Sequence, residues 1–345
     1  MKIRTNETLP EGGCDPRLVM TATPQRISFA GGGTDLADYY GTGFGAVLST
    51  TIDKFVYVTV KQHGAGFQEQ YRLNYAETEN VNSLDEIRND IARECLRLVP
   101  VPPPLYISTV GDLPAASGLG GSSSFAVGLL KALHAMRGER ISPAQVAEEA
   151  VHVEVDVLKR PIGKQDHVAA AFGGFNYFRF NADGTLNLVP HSGAIAGLNH
   201  LFDHFQLFWT GISRDSASVL TEQKHNTRNR MEELDAMRDQ AEALSLMLRG
   251  RLDVKAFGQT LDEGWQLKRR LASSVSNDRI NHWYQVATAA GAIGGKLCGA
   301  GGGGFLLFVT PENRRAAVRA ALSELQQIPI AFEPSGSRLI LPYLD

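Results

Sequence analysis

Residues 111–133, GDLPAASGLGGSSSFAVGLLKAL, insert glycines and serines directly between a β-rich segment, LYISTV (105–110), and a run of good helix formers. A flexible linker is polar on both flanks; this stretch is not. A strand that passes into a helix through such a turn places converging backbone N–H groups at a helix N-terminus, which suits an anion because glycine leaves the approach clear. Ser117, Gly118, Leu119, Gly120, Gly121, Ser122 and Ser123 are therefore candidates for holding phosphate groups, and the serines can cap the helix or reach a metal bound to the phosphates. Capping of a plain core helix is the alternative that this stretch alone leaves open. The pattern GxxxxGK[ST] is absent, so a nucleotide here is bound by another scheme.

At 345 residues the chain exceeds twice a typical domain. Two domains are expected, 1–195 and 196–345, with a cleft between them. A net charge of -3 and a pI near 6.3, with 34 scattered Lys and Arg, provide no basic field for nucleic acid. Three cysteines (Cys14, Cys95, Cys298) without CxxC spacing argue against a disulfide scaffold or zinc cluster and for a reducing cytoplasm. Apolar runs fall far short of the roughly 20 residues of a membrane span, and the N-terminus lacks a signal-like apolar core. Residues 1–16 read as a polar arm. Assembly into homo-oligomers is left open.

Val, Thr, Ile, Phe and Tyr mark strands at 18–30 and 46–61, with glycine-rich turns GGGTDL and GTGFG. A helix at 84–99 stops before VPPP. Another runs from Ser142 to Lys159, with Gln145 completing a capping-box signature and Pro143 at the first helical position. A helix at 164–172 and a hairpin at 175–190 follow. The second half reads as a strand from 205, helices at 214–249, 253–272 and 278–290, then strand, glycine turn, strand, helix and strand. This order is that of an α+β protein. GAGGGG (299–304) formally matches GxGxxG, but a strand follows it rather than a helix, so it reads as a tight turn, structural or close to a ligand.

Two carboxylates stand out because their surroundings are apolar: Glu154 in HVEVDVL and Asp166 before VAAAF. Phosphoryl transfer uses one carboxylate to hold Mg²⁺ and another to orient or deprotonate the acceptor hydroxyl. Asp35 and Arg26 are placed to complete a polar cluster. His200 and His204 lack a third metal ligand, and Cys298 reads as a small buried residue.

Together TPQRISFAGGGTDL (23–36), LPAASGLGGSSS (113–124) and KLCGAGGGG (296–304) resemble, in order, the motifs of the GHMP kinases. The resemblance spans nearly the whole chain. It implies an N-terminal domain like ribosomal-protein S5 domain 2, a ferredoxin-like C-terminal domain, ATP as co-substrate and Mg²⁺. It further implies Asp166 as base beside Arg26, Asp35 as a sugar-binding residue near Gly32, Gly33 and Thr34, and Ser122 with Glu154 on the metal. Gly32 and Gly33 stand where galactokinases carry Glu-His, and Gly121 replaces a serine, so galactose is disfavoured and a roomier pocket implied. GGGTDL, TTIDKFVYVTV, GISRD and IGKQD look most like heptose 7-phosphate kinases, which phosphorylate the anomeric hydroxyl of a sugar phosphate on the way to nucleotide-activated heptose. Fucokinase-like or galactokinase-like 1-kinases and a ligand-sensing homologue are the competing readings. Lys164, Arg179 and Arg214 are candidates for the acceptor's phosphate.

Overall fold

Nearly every side chain of LVMTATPQRISFA is buried, so this strand needs cover on both faces. The computed structural model, which describes residues 18–64, 66–191, 195–213, 216–250 and 252–341, supplies it. The expected polar arm and Arg214 lie outside the described residues. The chain runs β1 (Leu18–Ala30), α1 (Ala37–Tyr40), β2 (Phe44–Gln62), the hairpin β3 (Tyr71–Asn74) and β4 (Thr78–Val81), α2 (Asp90–Leu98), β5 (Leu105–Gly111) and α3 (Gly121–Met136). Then follow α4 (Pro143–Val151), α5 (Gln165–Phe172) and the hairpin β6 (Phe175–Asn181) and β7 (Leu186–Pro190). The second half comprises α6 (Ile195–Phe202), β8 (Phe205–Trp209), α7 (Ser216–Asn226), α8 (Met231–Arg249), α9 (Val254–Leu271), α10 (Asp278–Ala289), β9 (Gly294–Leu297), β10 (Phe305–Val309), α11 (Arg315–Ala321), β11 (Gln326–Ile328) and β12 (Arg338–Leu341).

β2 is long enough to serve two further neighbours besides β1: residues 56–62 pair with β5 and residues 44–50 with β6. β3 lies parallel to β5, and β12 closes the far edge against β1. The second sheet has the order β11-β8-β10-β9, all antiparallel, with helices between β8 and β9 and between β10 and β11. That is the ferredoxin-like arrangement. A cut at 195 does not part the sheets cleanly, because β12 belongs to the first one.

Helices α2 to α5 cover one face of the first sheet, burying Val58, Leu129, Leu133, Val146 and Val168 together. Its other face packs Ile27, Phe29, Leu48 and Phe175 against Leu207, Leu244, Phe257 and Phe305 from the second half. Phe29 and Phe175 stack with ring centres 5.2 Å apart. Each large side chain buried there contributes about 1.5–3 kcal/mol, so this shared layer welds the two sheets.

The expected helix 214–249 is broken by a tight turn at Thr227–Asn229 between α7 and α8. The expected helix to Lys159 is regular only through Val151; from His152 to Val157 it widens into a π turn. Such wide turns favour functional sites, and this one carries Glu154. Ser142 does cap α4, accepting from the Gln145 N–H.

Candidate active site

The N-terminus of α3 has Gly120 as its cap residue, left-handed at φ +79°, and no side chain caps the helix. The expected serine caps are not formed. Ser123 Oγ donates to Glu154 Oε2 at 3.0 Å, Ser124 Oγ donates to the Pro24 carbonyl at 3.0 Å, and Ser122 is exposed on a cavity wall. The first-turn N–H groups therefore lack side-chain partners, which is what an incoming anion requires. Leu119 contributes no side chain to the cavity: it is fully buried in the shared apolar layer, and its carbonyl accepts the Arg26 N–H at 3.0 Å. The GAGGGG turn packs directly on this loop; a Cβ on Gly299 would lie 2.4 Å from Gly118 Cα. No other residue fits that approach. The cavity between the loops holds about 300 Å³.

A β-bulge between Pro24 and Gln25 re-aims the strand just before Arg26. Arg26 Nε and Nη2 donate to Asp166 Oδ1 and Oδ2 at 2.6 and 2.7 Å, and Nη1 donates to the Gly118 carbonyl at 2.8 Å. The Arg26 side chain is 6% exposed and that of Asp166 24%, so the carboxylate meets the cavity while the guanidinium fixes it from behind.

Asp35 accepts from the Gly33 N–H at 3.1 Å and from the Gln165 N–H and Nε2, both at 3.2 Å. Burial, then the negative charge of Asp166, pushes its carboxyl above the ordinary value. Gly163 closes over it, where a Cβ would come within 1.8 Å of Oδ2. Gly32 and Gly33 border the cavity. Thr34 does not: it is fully buried, its hydroxyl bonded to the Gly31 and Ala46 carbonyls at 2.8 and 2.9 Å. Lys164 also lies off the cavity wall, 5.4 Å from the Tyr40 ring centre, and Arg179 stacks on Phe44 at 3.8 Å.

The GHMP kinases N terminal domain matches residues 85–174 and the GHMP kinases C terminal domain residues 241–327. A D-glycero-alpha-D-manno-heptose 7-phosphate kinase of Campylobacter jejuni is 30% identical over 322 residues, covering 89% of this chain and 94% of the relative. The chain belongs to the GHMP kinase family. Among solved structures, a D-glycero-D-manno-heptose 1-phosphate kinase from Bacteroides thetaiotaomicron superposes with TM-score 0.75 at 26% identity, over 94% of this chain and 99% of its own. Lactococcus lactis galactokinase complexed with galactose shares the fold, with TM-score 0.72 at 16% identity over 95% of this chain and 96% of its own.

The metal pair that the GHMP resemblance implies is not assembled in this arrangement. Glu154 is fully buried, receiving Ser123 at 3.0 Å, His167 Nε2 at 2.8 Å and Arg160 Nη1 at 2.9 Å. Burial alone would raise its carboxyl, but the His167 hydrogen bond and charge, then Arg160 and Ser123, hold it below the ordinary value. Arg160, itself on the cavity wall, takes Glu154 Oε1, while Ser123 and His167 share Oε2, so both carboxylate oxygens already have partners. Ser123 rather than Ser122 is the serine at this carboxylate. Among the described residues no group of three or more His, Cys, Asp or Glu is arranged to hold a metal ion.

Arg160, Gln165, Lys268 and Lys296 are among the cavity residues that escape the sequence reading. Lys268 carries a usable signal, because it falls in step with Phe257, Leu261 and Trp265 on the apolar stripe of α9. Lys296 opens the third glycine motif. Arg160 and Gln165 have none, since only the tertiary fold turns them inward.

Proposed function

We propose that this GHMP kinase transfers the γ-phosphoryl group of ATP to the anomeric hydroxyl of a sugar, with D-glycero-D-manno-heptose 7-phosphate as acceptor and its 1,7-bisphosphate as product, in nucleotide-activated heptose synthesis. The observation that carries the reading is Arg26, which grips both oxygens of Asp166 and, with its third arm, the carbonyl of Gly118 in the phosphate loop. One side chain thereby sets the distance between donor and acceptor. The likeness to the Campylobacter and Bacteroides heptose kinases, and the room left by Gly32 and Gly33, favour a large phosphorylated sugar.

In this mechanism the nucleotide phosphates rest on residues 117–123. Each Asp166 oxygen keeps a lone pair beyond its Arg26 bond, so the carboxylate orients the O1 hydroxyl and takes its proton. O1 then bonds to the γ-phosphorus, the bond to the bridging oxygen breaks in line, and ADP leaves with that electron pair. The Arg26 charge and the uncapped N–H groups of α3 stabilise the negative charge that shifts during transfer. Asp35 orients the sugar through its hydroxyls. Mg²⁺, carried by ATP, supplies charge neutralisation on the phosphates; the exposed Ser122 hydroxyl suits such an ion, whereas Glu154 bound to Arg160 does not. A cytoplasmic setting belongs to the same proposal, with Cys95 and Cys298 free and buried. Among the described residues no helix is long and apolar enough to cross a membrane.

The test is ADP release with heptose 7-phosphate, fucose, galactose and mannose, followed by NMR of the product's anomeric carbon. Turnover fastest on heptose 7-phosphate, with phosphorus on O1, is expected. A preference for fucose or galactose moves the reading to another sugar 1-kinase, and no ADP release with any acceptor sinks it in favour of a ligand sensor.

A further inference from the structure

Two lysines border the cavity with no acid paired to them among the described residues. Lys296 on β9 and Lys268 on α9 are each 6% exposed, and among the described residues neither forms an ion pair. A buried ammonium without a counter-charge is costly. Backbone carbonyls offset part of that cost: Lys296 Nζ donates to Ser28 and Phe29 at 2.7 and 2.9 Å, where β1 bulges, and Lys268 Nζ donates to Leu297 at 3.4 Å and to Gly299. An ammonium has three donors, so each lysine keeps one beyond these bonds. The carbonyls they grip belong to the two halves of the site. Ser28 and Phe29 lead into the Gly31–Asp35 loop, whereas Gly299 packs on Gly118. Nearby, Ser28 Oγ and Gln165 Oε1 are buried without hydrogen-bond partners among the described residues.

Building on the phosphoryl-transfer reading, we propose that Lys268 and Lys296 form a two-cation seat for a phosphate oxyanion at the seam between the phosphate loop and the acceptor loop. The oxyanion supplies the missing negative charge. It comes either from the phosphoryl group in transfer or from the phosphate the acceptor already carries. Burial lowers both ammonium groups, Lys268 to about 7 and Lys296 to about 8; like charge from Lys296 and Arg26 adds to this at Lys268 and from Arg26 at Lys296, and Cys298 acts in the opposite sense. Without an anion the pair is therefore partly neutral and nucleophilic near pH 8, and an anion returns it to the charged, unreactive form.

Lys268→Met and Lys296→Met keep the apolar stems and remove the charge. Loss of kcat by roughly 10²-fold on both phosphorylated and unphosphorylated acceptors assigns the seat to the phosphoryl group in transfer. A KM raised at least about tenfold for the phosphorylated acceptor alone assigns it to the acceptor's phosphate. Lys→Arg variants recover part of either loss. Unchanged kinetics in both folded Met variants overturn the proposal. Because these variants can fail to fold, the wild-type protein is also acetylated at pH 8 with and without inorganic phosphate, and modification of each lysine is followed by mass spectrometry. Phosphate slows labelling at Lys268 and Lys296 and not at exposed lysines; equal rates overturn the seat. This second measurement needs no acceptor, so its outcome is independent of whether the sugar reading survives.

Discussion

Asp166 and Glu154 stand twelve positions apart, each joined to an arginine across the same cavity wall, and they are built for opposite purposes. Asp166 meets one guanidinium and leaves 24% of its side chain open to the cavity. Glu154 meets Ser123, His167 and Arg160 and leaves nothing open. In the first pair the arginine aims the proposed base; in the second it helps a π turn, α3 and α5 hold together. A carboxylate–arginine pair therefore says little by itself. Exposure and the number of donors decide whether it is a reagent or a strut.

The contrast breaks most visibly at Asp166. Asp166→Asn lowers turnover by roughly 10²- to 10⁴-fold while circular dichroism shows a folded protein; near-normal turnover would remove the base assignment. Glu154→Gln shows the reverse pattern, losing about 3 kcal/mol of unfolding free energy because a buried, hydrogen-bonded charge is removed from its partners. Its turnover, measured well below the melting temperature, stays within about tenfold of wild type. A Glu154→Gln enzyme as inactive as Asp166→Asn at unchanged stability erases the distinction.

Acid sharpens the same comparison. Folded Glu154 titrates below its ordinary value of 4.5, so the unfolded chain binds that proton first as the pH falls. Its stabilisation is complete above about 4.5 and fades as the pH drops through the folded value. The melting-temperature gap between wild type and Glu154→Gln accordingly narrows below pH 4.5; a gap that widens there contradicts the ion-paired state. The smallest effect separates neighbouring serines. Ser123→Ala costs about 1 kcal/mol by removing the hydrogen bond to Glu154, whereas Ser122→Ala stays within about 0.5 kcal/mol, both read by urea unfolding. Equal stability losses would mean that Ser122 also braces the strut.

What the sequence made legible were features local in the chain. The three glycine turns, the strands β1 and β2 and the Ser142 cap each depend on neighbours a few residues away; the order of strands and helices was enough to suggest an α+β protein, while the ferredoxin-like half was implied by the GHMP resemblance. The hairpin of β3 and β4 carried too short and mixed a pattern to register. The partners of Glu154 were hidden for another reason: Ser123, Arg160 and His167 converge only after α3, the π turn and α5 have packed. Lys164 and Thr34 misled because proximity in sequence to Asp166 and Asp35 does not fix which way a side chain turns. Lys164 lies over Tyr40, and Thr34 turns inward to pin its own loop.

β12 pairs with β1 at Met20, Thr21 and Ala22, and Ser337 shares a hydrogen bond with Thr23 at 2.8 Å, three residues before Arg26. During synthesis the strand that bears this arginine thus has a bare edge until some three hundred further residues have been made. An unpaired edge is an open template for other chains. Translation must therefore pass residue 338 before the arginine's strand gains this neighbour, and until then the same edge is open to strands of other copies.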